Sequence, residues 1–95
     1  MFQEKSKELQ ELIEILDMAP NDYGYVKYKV IKYIDELSAL SKAISYADWS
    51  FICDKYFVNF SEEQLKDLKN SKTIKTMKQK HLVDFALKRL PFFQE

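Results

Sequence analysis

The chain has 95 residues, 46% hydrophobic, 32% charged and 15% aromatic, with a formal net charge of zero. That length suits one domain with one core, and the apolar content excludes disorder throughout. Apolar runs of only a few residues fall far short of the roughly 20 needed to cross a bilayer, no hydrophobic leader segment is visible in "MFQEKSKELQ", and the lone Cys53 forbids an intramolecular disulfide and fits a reducing, cytoplasmic setting.

One glycine and two prolines leave few strong breakers, and apolar residues recur at helical spacing, so five helical segments are expected. In the first, Leu9, Leu12, Ile13 and Leu16 follow i, i+3, i+4, i+7, with Phe2 one heptad earlier and glutamates on the other side. Pro20 breaks the chain, and either Asn21 or Asp22 can cap the next helix by accepting from first-turn amides.

The second helix contains "YGYVKYKVIKYI", where tyrosines and lysines interleave in the linear text. A turn of about 100° per residue sorts them: Val26, Val30, Tyr33, Ile34, Leu37, Leu40 and Ile44 gather on one side. Tyr25, Tyr28, Lys29, Lys32, Asp35 and Glu36 occupy the other. Exposed tyrosines offer large contact area at low entropic cost and are enriched at interfaces; bases could also stack on them.

Ser45 with Asp48 resembles a capping box with Asp in place of Glu or Gln, and Ile44 is placed to staple onto Trp49. The third helix so begun lines Trp49, Ile52, Cys53, Tyr56 and Phe57 along one side, with Phe51 and Val58 broadening it, which marks it as the most buried. In that setting Cys53 acts as a small hydrophobe rather than a nucleophile.

The strongest local signal is "NFSEEQL": Ser61 and Gln64 form an S-x-x-Q capping box, with Phe60 positioned to staple onto Leu65. Asn70 and Ser71 end this short helix and begin the last, on which Ile74, Met77, His81 and Phe85 share one side and Val83, Ala86, Leu87 and Leu90 another. Pro91 stops it, leaving residues 92–95 as a short tail with Phe92 and Phe93. The expected architecture is an all-α, single-domain antiparallel bundle of four to five short helices over residues 1–95.

The zero net charge hides segregation: residues 1–22 sum to −4, 23–34 to +3, 35–63 to −4 and 64–95 to +5. Lys66, Lys69, Lys72, Lys75 and Lys78 recur every third residue, with Lys80 close by. That period drifts by about 60° per step, so these lysines sweep around the surface. They can neutralise phosphates, dock an acidic protein or serve as a solvated face. A single arginine and the absence of RNP, KH or zinc-finger patterns weigh against nucleic acid.

No H-E-x-x-H, EF-hand, Walker or zinc-ligand pattern occurs, and the only histidine, His81, has no evident catalytic companions. Neither catalytic, cofactor-binding nor metal residues are assigned, and no enzyme is expected. In its helical order and its "NFSEEQLKDL" segment the chain resembles the small helical immunity proteins that protect bacteriocin producers. That likeness covers a capping box and a leucine pair, and it implies, by analogy, an inhibitor acting through protein binding.

The expected function is therefore a small cytoplasmic interaction or regulatory module. A protein partner or a homodimer would use a surface drawn from Tyr25, Tyr28, Lys29, Lys32, Lys72, Lys75, Lys78, Lys80, Phe92 and Phe93. Nucleic-acid binding through the lysine-rich C-terminal segment is the alternative.

Overall fold

A computed structural model of the chain describes residues 6–19 and 21–80, with the side chains of 78–80 outside it. Among the described residues the fold is all-α, as expected, with five α-helices, one 3₁₀ turn and no strand. The expectations for His81, Phe85, Leu90 and the 92–95 tail lie outside the described residues. The chain divides into two units, Met1–Ala43 and Ile44–Glu95.

The first unit is a helical hairpin of α1 (Lys7–Asp17) and α2 (Tyr23–Ala39). Ser6 starts α1, its hydroxyl accepting from the Leu9 amide at 3.1 Å. This cap carries no acidic or amide residue three positions on, which is why the sequence pattern does not reveal it. Asp22, one of the two expected caps, starts α2 by accepting from the Tyr25 amide at 2.8 Å. The helices run antiparallel: Lys42, just past α2, lies 3.3 Å from Glu8 in the first turn of α1. Leu9, Leu12 and Leu16 of α1 are buried, as are Val26, Val30, Tyr33, Ile34 and Leu37 of α2.

Two apolar residues assigned to α2's inner side depart from that expectation. The helix ends at Ala39, and Leu40 is 61% exposed. Ser41 turns the chain with φ 58°, while the Ser41 and Lys42 amides donate to the Ser38 and Leu37 carbonyls at 2.9 and 2.8 Å. That pair of bonds is a Schellman closure built on serine where glycine is usual, so no glycine or proline announces it. Ile44 is buried, yet it lies beyond this stop and belongs to the second unit.

The second unit comprises α3 (Tyr46–Lys55), a 3₁₀ turn (Phe57–Asn59), α4 (Glu62–Lys69) and α5 (Lys72–Lys80). Ser45 caps α3, accepting from the Asp48 amide at 3.1 Å. Trp49, Ile52, Cys53, Tyr56 and Phe57 are buried as their spacing predicts, and the Cys53 thiol is enclosed. The rings of Trp49 and Phe57 meet edge to face at 6.0 Å, and Phe57 in turn lies 6.1 Å from Phe60. Val58 does not join them: α3 stops at Lys55, the tighter turn rotates the next side chains, and Val58 is 67% exposed.

The capping box on α4 is complete. Ser61 Oγ accepts from the Gln64 amide at 3.1 Å and Gln64 Oε1 accepts from the Ser61 amide at 2.9 Å. Glu62 and Glu63 in the first turn and Lys66 and Lys69 in the last complement the helix dipole. At the α4–α5 junction the Ser71 hydroxyl donates to the Leu68 carbonyl at 2.8 Å, and the Lys75 amide donates to the Ser71 carbonyl at 3.0 Å. Leu68, Ile74 and Met77 are buried.

Candidate functional site

The tyrosine–lysine group occupies the side of α2 away from its buried stripe. Lys29 follows Tyr25 by one turn and adjoins Tyr28, and its ammonium stands 5.6 Å from both ring centroids. Such an arrangement draws a cation toward the negative face of each ring and contributes about 0.5–1 kcal/mol per contact at an exposed site. It also holds two large aromatic surfaces beside a charge. Tyr28 is 58% exposed, Lys32 is exposed, and Tyr25 and Lys29 are half-buried.

Beside this group a groove of about 320 Å³ runs between α1 and α2. Leu12, Tyr33 and Leu37, all buried, form its floor; Ile15 and Leu40 are its exposed apolar edges. Its charges are sorted along its length. Glu8 and Glu11 on α1 and Glu36 on α2 line it toward the Lys42 end, and Lys29 and Lys32 lie further up α2. The Glu8 carboxyl is held below its ordinary value, chiefly by a hydrogen bond with its own backbone amide and then by the Lys42 ammonium.

A second, shallower trough of about 660 Å³ lies along α2 over Gly24, Tyr28, Ile31 and Ala39, with Lys27, Lys32, Asp35 and Glu36 also lining it. Lys32 and Glu36 border both depressions. One helix thus presents two grooves separated by a short charged ridge.

Four of the residues expected at an interaction surface, Tyr25, Tyr28, Lys29 and Lys32, are therefore brought together in the first unit. Lys72 and Lys75 are exposed on α5 in the second unit. Lys78 and Lys80 belong to α5, with their side chains outside the described residues, and Phe92 and Phe93 lie outside them altogether. The lysine run is divided between two helices by the Asn70–Ser71 junction.

Sequence reasoning missed Glu8, Glu11 and Ile15 as groove residues, although their i, i+3, i+7 spacing places them along one side of α1. It also missed Leu40, because the serine-based helix stop is silent in the text. Among the described residues no three side chains of metal-ligating type converge, and no helix is long and apolar enough to cross a membrane. No protein-family model, curated protein or solved structure matches the chain.

Proposed function

We propose that this chain is a small non-catalytic interaction module that binds another protein through the Tyr25–Tyr28–Lys29–Lys32 side of α2 and modulates it by occupying a surface. The observation that carries this reading is that Lys29, which lines a groove with an apolar floor, is set against two tyrosine rings. Aromatic rings with an adjacent cation and a desolvatable apolar floor are the composition of protein-binding surfaces. The carboxylates of Glu8, Glu11 and Glu36 in the same groove oppose phosphate, which favours protein over nucleic acid at this face.

The test is capture by the full chain from nuclease-treated lysate, compared with a Tyr28→Ala variant. A partner protein retained at stoichiometric level by the native chain and lost by the variant supports the reading. Retention of nucleic acid alone, or equal capture by both, overturns it.

The second reading rests on exposed Lys72 and Lys75 of α5, which have no carboxylate within ion-pair distance among the described residues. Nucleic-acid binding there would weaken with salt, at a slope of about −0.9 in log K against log salt for each phosphate contacted on duplex DNA. Replacing both lysines with alanine would flatten that slope by roughly 2. A salt-independent affinity removes this reading.

A further inference from the structure

The groove face of α2 has an internal symmetry. With about 100° per residue, Tyr25, Lys29, Lys32, Glu36 and Leu40 fall within a band roughly 80° wide. Their order is self-complementary when the helix is reversed: an aromatic residue and a lysine at one end answer a leucine and a glutamate at the other. We propose that a second copy of this chain docks on this face, α2 against α2 and antiparallel, about a two-fold axis passing between Lys32 and Tyr33. The proposal deepens the reading of α2 as an interaction surface and rests on it.

Under that axis each residue lies opposite the one equally far beyond it. Lys29 stands opposite the second copy's Glu36 and Tyr25 opposite its Leu40; each pair occurs twice. An isologous contact requires such self-complementarity of a single patch.

Two observations favour this occupant. Neither Lys29 nor Glu36 has an ion-pair partner among the described residues, so their charges are available to another chain. Leu40 and Ile15, 61% and 41% exposed, are the groove's apolar edges. Pairing covers Leu40 with a tyrosine ring, and it sets Ile15, which lines the groove with Lys32 and Tyr33, close to the axis. The two Lys32 ammonium groups approach one another there, a like-charge contact offset by Glu11, which lines the same groove across from Lys32.

A single helix pair lies at the small end of specific interfaces, so the dimer is expected to be concentration-dependent rather than obligate. Sedimentation velocity on the purified full chain over a concentration series should show monomer–dimer exchange. Lys29→Glu and Glu36→Lys each set like charges opposite one another twice and should weaken association by at least about tenfold. The double variant K29E/E36K restores opposite charges and should recover the native association. Leu40→Ser, which changes no charge, should also weaken it, with circular dichroism checking that each variant stays helical. A chain that is monomeric throughout, single reversals that associate like the native protein, or a double variant no better than the singles would overturn the proposal. Because the measurement uses one purified protein, its failure would leave the capture of a foreign partner by Tyr28 standing.

Discussion

The two units use the same residue types to opposite ends. In the second, aromatic residues point inward: Trp49 and Phe57 are almost wholly enclosed and meet edge to face, and Phe60 extends the contact. In the first, Tyr25 and Tyr28 point outward and hold a lysine between them. What separates the cases is position relative to the apolar stripe, since Trp49, Ile52, Cys53 and Tyr56 follow one another at i, i+3, i+4 and i+7. Tyr25 and Tyr28 stand off the stripe of Val26, Val30, Tyr33 and Leu37. Aromatic residues therefore fill the core in α3, whereas in α2 Tyr33 lies in the buried stripe and Tyr25 and Tyr28 stand off it.

The largest expected effect tests that contrast directly. Trp49→Ala removes a fully enclosed side chain and should cost about 3–5 kcal/mol, whereas Tyr28→Ala, on an exposed face, should stay within about 0.5 kcal/mol. Chemical denaturation with fluorescence for the tyrosine variant and circular dichroism for both would measure the difference. Equal losses would mean that Tyr28 belongs to a core.

The helix ends sharpen the comparison at intermediate scale. In the second unit α4 begins with a reciprocal capping box, and Ser61→Ala should cost about 0.5–2 kcal/mol by removing the acceptor for the Gln64 amide. In the first unit α2 ends on Ser41 at φ 58°, a left-handed conformation that favours glycine. Ser41→Gly should therefore stabilise the protein, by up to about 1 kcal/mol, because relief of strain exceeds the entropy glycine adds to the unfolded chain. Thermal unfolding of the two variants should move in opposite directions; a destabilised Ser41→Gly protein would mean that the serine side chain itself holds the turn.

The smallest effect concerns the groove mouth. Glu8 has a depressed pKa in the folded state, so its contribution to stability is present above the carboxyl's unfolded value and fades as pH falls through the folded one. Lys42→Met should raise the Glu8 pKa part of the way to its ordinary value, since the backbone hydrogen bond that leads the shift remains. A nuclear magnetic resonance titration of the Glu8 side-chain carbon reads this; an unmoved titration would mean that the ion pair contributes nothing in solution, the usual outcome for weak surface pairs.

Local order was legible in the text wherever one residue's chemistry suffices. The Ser61–Gln64 box, a cap at Asn21 or Asp22 and the apolar stripes of α1 and α3 each need only a short window, because capping bonds span three residues and a helix repeats every 3.6. The Tyr25–Tyr28–Lys29–Lys32 cluster was legible for the same reason: it lies within two turns of one helix.

Tertiary structure decided what adjoins that cluster. Helical spacing could array Glu8, Glu11 and Ile15 along α1, but only the antiparallel return of α2 sets them across a groove from Lys29, Lys32 and Glu36. The exposure of Leu40 was equally hidden, since the residue satisfies the apolar period of α2 and is set apart by a left-handed serine that no propensity predicts. Periodicity assigns a side chain to a face of its own helix. Whether that face is buried depends on where the helix stops, which a local turn on Ser41 sets here, and on what folds back beside it, which is a contact distant along the chain.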